Sequence, residues 1–175
     1  MKIFLKIKAW QLFILVFLPM LAPMFLSPMS SNHEVAFGVT TFIWMLVLVG
    51  WMYSVGAEAN QRLPETLRKN MAIYRLGYGV TIFYCLLLLF VGFPPTEQSV
   101  DGQVTMPAWF VPLHLASMFG MFYGLWFTAK QFMTHQKGES VSFFEYSGPF
   151  FLFWFAPIGV WFLQPKINRA FNNGA

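Results

Sequence analysis

Ser147-Gly-Pro-Phe-Phe-Leu-Phe-Trp-Phe-Ala-Pro-Ile-Gly-Val-Trp-Phe-Leu163 is the last apolar stretch of the chain, and Gln164-Pro165-Lys166 follows it. Its 17 residues lie at the lower limit for crossing a ~30 Å hydrocarbon core. Pro149, Pro157 and Pro165 divide it, and the uninterrupted piece between the first two is seven residues long. Lys137 precedes the stretch, and Lys166 and Arg169 follow it. Basic residues beside membrane segments are retained on the cytoplasmic side, so a single crossing would strand Lys166 and Arg169 outside. A re-entrant or interfacial segment keeps them inside. The reading predicts an all-α integral membrane protein with four transmembrane helices plus a C-terminal, Pro-broken re-entrant or interfacial helical segment over 147–163. A fifth, tilted span is the alternative.

Working outward, all eleven Lys and Arg residues fall into four clusters that alternate with apolar segments. These are Lys2, Lys6 and Lys8; Arg62, Arg68, Lys69 and Arg75; Lys130 and Lys137; and Lys166 and Arg169. Every cluster can be placed on one side of a membrane. With 57% hydrophobic, 10% charged residues and a mean hydropathy of +0.56, the 175-residue chain is too apolar for an ordinary soluble domain. Its net charge of +4 belongs beside spans, where orientation and anionic headgroups explain it, so nucleic acid is not expected as a direct partner. Cys85, the single cysteine, sits in an apolar run and forms neither an internal disulfide nor a CxxC site.

The apolar pattern places spans at about 9–27, 35–57, 71–93 and 108–132 within one transmembrane domain, 1–175. Residues 1–9 alternate lysines with Ile3, Phe4, Leu5 and Ile7, a short amphipathic turn suited to the headgroup level. The first span carries Pro19 and Pro23 and lacks a small-x-small cleavage site, so it is read as uncleaved. Val100-Asp-Gly-Gln-Val104, in a connection without Lys or Arg, has a hairpin-turn dipeptide between short strands.

Ser117, Gly120, Gly124 and Thr128 recur at three- and four-residue spacing in span four, and Gly120 to Gly124 is a GxxxG pattern. Small residues let helix backbones approach closely where lipid supplies no hydrophobic drive. This face therefore packs against a helix of the same chain or of a second copy. Gly50, Ser54 and Ala57 form a similar face on span two, suited to span four. His114 lies near the outer end of span four, where it either makes an interfacial hydrogen bond or acts as a pH-sensing or pore-lining group. The connection from Glu58 to Asn70, with Arg62, Glu65, Arg68 and Lys69, is the expected docking surface for a soluble partner. Glu145 precedes Gly148-Pro149 at the entrance to the last segment; it either pairs with a lysine at headgroup level or lines a polar mouth with Tyr146 and Gln164. The sequence has no HExxH, GxSxG or phosphate-binding glycine loop. No catalytic, cofactor or metal residues are therefore expected.

Pro112-Leu-His-Leu-Ala-Ser-Met-Phe-Gly-Met-Phe-Tyr-Gly124, the string from Phe153 to Asn168 ending Pro-Ile-Gly-Val-Trp-Phe-Leu-Gln-Pro-Lys-Ile-Asn, and the Arg62-Leu-Pro-Glu65 connection together resemble a group of small bacterial multi-pass inner-membrane proteins. The resemblance covers about the C-terminal third plus that connection. It implies a bacterial inner-membrane setting with no assigned activity.

These features lead to the expectation of a non-enzymatic anchor or scaffold subunit of the bacterial inner membrane, with both termini cytoplasmic. It would contact membrane lipids, form a homo-oligomer and dock a cytoplasmic protein partner. By analogy alone, it would serve a multi-gene stress or phage-defence system. The alternative is an oligomeric channel or small-solute conduit lined by Thr40, Thr41, Ser54, Ser117, Thr128 and His114. An enzyme acting on a lipid or quinone, built on His114, Glu145 and the tyrosines, is a third reading.

Overall fold

The computed structural model describes residues 2–26, 33–92, 97–98, 104–105 and 107–172. A 3-10 turn, Lys2–Leu5, leads into α1 (Ala9–Leu26), α2 (His33–Arg62), α3 (Ala72–Val91), α4 (Phe110–Lys137), α5 (Phe143–Trp154) and α6 (Ala156–Asn172). Two two-residue strands, β1 (Glu97–Gln98) and β2 (Val104–Thr105), pair antiparallel between α3 and α4, with Glu97 opposite Thr105. They flank the expected hairpin, whose turn residues Asp101 and Gly102 lie outside the described residues, as do residues 27–32 of the first connection. Among the described residues, three helices are long and apolar enough to cross a membrane: α2 over Val35–Arg62, α3 and α4; α1 contributes a shorter apolar stretch, Ala9–Ala22. The exterior is correspondingly apolar, with Phe144 88% and Phe90 81% exposed. Lipid, unlike water, imposes no penalty on such a surface.

Local chemistry sets the helix ends. Pro64 cannot continue a helix, and α2 stops at Arg62, five residues beyond the expected limit of span two. The Asn70 side chain accepts the Ala72 N–H at 2.8 Å at the start of α3. Gly138 adopts a left-handed conformation (φ 72°) and donates its N–H to Thr134 O at 2.9 Å, ending α4. At α5, Ser142 and Glu145 form a reciprocal capping box.

The last apolar stretch is two helices. The expected segment 147–163 lies inside a longer element, 143–172, and the break falls at Phe155, between Pro149 and Pro157. Pro157 occupies the first turn of α6, where its missing N–H costs nothing. A side chain at Gly159 would collide with the Leu152 carbonyl, so this glycine lets the two helices meet closely. α5 starts beside Lys137, which pairs with Glu145. α6 ends where the Phe171 ring stacks on His135 at 5.2 Å and its carbonyl accepts from Arg62 at 3.2 Å. Both ends of the segment therefore lie at the basic end of the bundle. At the tip, Phe153 packs on Trp51 at 5.1 Å and Trp154 on Phe122 at 4.6 Å. Phe122 stands about 22 Å along α4 from Lys137, roughly half the length of that helix.

Candidate functional site

The basic end is assembled from four parts of the chain. Gln164, fully buried, accepts the Trp51 indole N–H at 3.0 Å. Its amide nitrogen shares its two hydrogens among Phe4 O at 2.7 Å, Ile7 O at 3.0 Å and Asn168 Oδ1 at 3.0 Å. Asn168 Nδ2 reaches the same Ile7 carbonyl at 3.1 Å. One helical face of the Gln164-Pro-Lys-Ile-Asn168 string thus holds the N-terminal turn, whose carbonyls would otherwise lack partners. Glu145 and Gln164 are not brought together, and no polar mouth forms between them: Glu145 is committed to Lys137 and Ser142, and Gln164 to the N-terminal turn.

The α2–α3 connection is braced in the same way. Asn60 Oδ1 accepts the Lys69 N–H at 2.9 Å, and its Nδ2 donates to Lys69 O at 3.0 Å. Arg68 donates to Leu63 O at 2.7 Å. Arg62 pairs with Glu58 at 2.8 Å and lies 5.2 Å from the Phe171 ring centroid. Of the four expected docking residues, Arg62 and Arg68 hold the platform together. Glu65 and the Lys69 side chain stand exposed on it. Lys137 and two hydrogen bonds from Ser142 hold the Glu145 carboxyl down, at about 2.

The small-residue face of α4 is used within the chain. A side chain at Gly120 would meet Gly77 O of α3 at 2.5 Å, and one at Gly124 would enter the Tyr78 ring. Ser117 O accepts from Thr81 at 3.1 Å, and Thr128 Oγ1 meets Tyr74 OH at 3.0 Å and Met52 O at 3.2 Å. On α2 Gly56 is set closely against Tyr74 and Thr128, and Gly38 against Leu89; the sequence reading singled out neither. Gly50 and Ser54 are buried, and Ser54 Oγ bonds Gly50 O at 2.6 Å within its own helix. Thr40 likewise bonds Ala36 O at 2.8 Å.

His114 is exposed near the opposite end, one turn into α4. Its Nδ1 lies 2.8 Å from Tyr84 OH, and Phe110 stacks on its ring at 5.7 Å. No carboxylate joins it among the described residues, and none of their His, Cys, Asp and Glu side chains gather in a group of three that could hold a metal. Comparison with protein-family models, curated proteins and solved structures finds no match for the chain.

Proposed function

We propose that the chain is a multi-pass protein of the bacterial inner membrane that anchors a cytoplasmic partner at its basic end. In this reading α1–α4 are four spans, α5 and α6 form a re-entrant hairpin, and both termini are cytoplasmic. The observation that carries it is the bracing of the basic end. The buried side chain of Gln164 ties the N-terminal turn to α6, that of Asn60 braces the α2–α3 connection, Arg62 reaches the Phe171 carbonyl, and His135 of α4 stacks on the Phe171 ring at the end of α6. A fixed polar surface lowers the ordering cost of binding a soluble protein. The channel reading has less support, because Trp51, Tyr74, Phe127, Phe132 and Phe153 fill the interior and each is under 2% exposed. The residues expected to line a pore mostly make bonds within or between helices. Self-association requires a surface other than the occupied small-residue face of α4.

A photo-crosslinking residue placed at Glu65 or Lys69 in cells tests the anchor. A discrete adduct with a soluble protein is expected at these positions and not at Trp109, at the other end of α4. The adduct from position 65 should disappear in a Lys69→Glu background, and that from position 69 in a Glu65→Lys background. Absence of an adduct at both positions would remove the proposal.

A further inference from the structure

The cations of the basic end differ in what they touch. Arg62 and Lys137 each pair with a carboxylate. Arg68 is bonded to a backbone carbonyl, and Lys130 lies over the Trp126 ring at 5.2 Å. Lys166 and Arg169 are exposed on α6 and, like Lys2, Lys6, Lys8, Lys69 and Arg75, form no ion pair among the described residues. They line an open groove of about 530 Å³ with His135, Gln136 and Ala170, between the last turns of α4 and α6. Arg169 complements the carbonyls that end α6. Lys166, six residues before that end, is too far back for the same role.

Below the groove the same helical face turns apolar. Ile158, Phe162, Lys166 and Arg169 follow at spacings of four, four and three, so they form one stripe. Ile158 is 60% and Phe162 58% exposed. The stripe has the polarity of a phospholipid, cationic at headgroup level and apolar toward the hydrocarbon. Ile167 and Gln164, buried on the opposite face, hold the two cations in place.

We propose that the α4–α6 groove binds the headgroup of an anionic phospholipid through Lys166 and Arg169, with an acyl chain along Phe162 and Ile158. The site rests on the placement of the basic end at headgroup level. Basic grooves between membrane helices meet anionic headgroups with about a fivefold gain in affinity for each well-placed charge. Native mass spectrometry of the full chain in detergent, titrated with phosphatidylglycerol or phosphatidylcholine, reads it directly. A one-to-one phosphatidylglycerol adduct is expected, and Lys166→Gln with Arg169→Gln should weaken it about tenfold or more. Swapping the two cations, Lys166→Arg with Arg169→Lys, should largely restore it, whereas Lys2→Gln with Lys8→Gln should leave it nearly unchanged. Equal affinity of the wild type and the double Gln variant, or equal affinity for the two lipids, would overturn the site. Displacement of the lipid by millimolar inorganic phosphate alone would identify a free-phosphate site and overturn the lipid assignment. An unchanged unfolding temperature in phosphatidylcholine separates lost binding from lost fold. The detergent measurement does not depend on which side the groove faces, so a reversed topology and a failed lipid site give different results.

Discussion

The Gln164 side chain accepts the indole N–H of Trp51 at 3.0 Å across 113 positions of sequence. It thereby joins α2 to α6 at the point where α6 also grips the N-terminal turn. Bonds of this kind are costly to lose from one side, because the remaining partner stays buried without water.

Gln164→Leu should therefore cost about 2–4 kcal/mol, since it orphans the Trp51 N–H and the Phe4 carbonyl and leaves Ile7 O to Asn168 alone. Asn168→Ala removes two bonds, to Ile7 O and from Gln164, but both partners keep other bonds through Gln164, so it should cost nearer 1 kcal/mol. Unfolding temperature in detergent, with protease access at Lys6 and Lys8, measures both. Equal, negligible effects would mean that the N-terminal turn is held by something else.

Gly120→Ala should separate α3 from α4, because the new methyl would lie 2.5 Å from Gly77 O. Backbone cannot yield as a flexible side chain does, so a loss of about 1–3 kcal/mol is expected. Gly79→Ala is the matched control on α3, with nothing within 4 Å of the added methyl, and its unfolding temperature should not fall.

Acid should loosen the start of α5. The Glu145 carboxyl is held at about 2, against an ordinary value of 4.5, first by Lys137 and then by Ser142. A depressed carboxyl contributes stability that is present above about pH 4.5 and is lost as the pH falls toward 2. The wild type should lose its advantage over Glu145→Gln across that window, as followed by unfolding at stepped pH. A constant difference between the two proteins from pH 7 to 2 would exclude this coupling.

Length and apolarity made α2, α3 and α4 readable, and the flanking lysines and arginines made the return of the last segment an expectation. The GxxxG spacing identified Gly120 and Gly124 as close-approach positions. It could not name their partners, Gly77 and Tyr78, which the helix crossing alone brings opposite. Pro149 and Pro157 bracketed the break in the C-terminal segment, yet the turn is at Phe155, and Gly159 is the residue that permits it. Gln164 looked like the rim of a polar mouth because a buried amide with partners in residues 4, 7 and 51 has no signature in local sequence. The bracing of Lys69 by Asn60 was hidden for a related reason: a nine-residue connection can fold back in many ways, and one side-chain amide selects among them.

Side-specific labelling of introduced cysteines, in a Cys85→Ala background, tests the re-entrant hairpin most directly. Glu139→Cys precedes α5, Asn172→Cys stands at the end of α6, and Trp109→Cys marks the opposite end of the bundle. A membrane-impermeant maleimide should label position 109 in intact spheroplasts, and positions 139 and 172 only in inverted vesicles. Labelling of position 172 from the same side as 109 would contradict the hairpin and establish a fifth crossing.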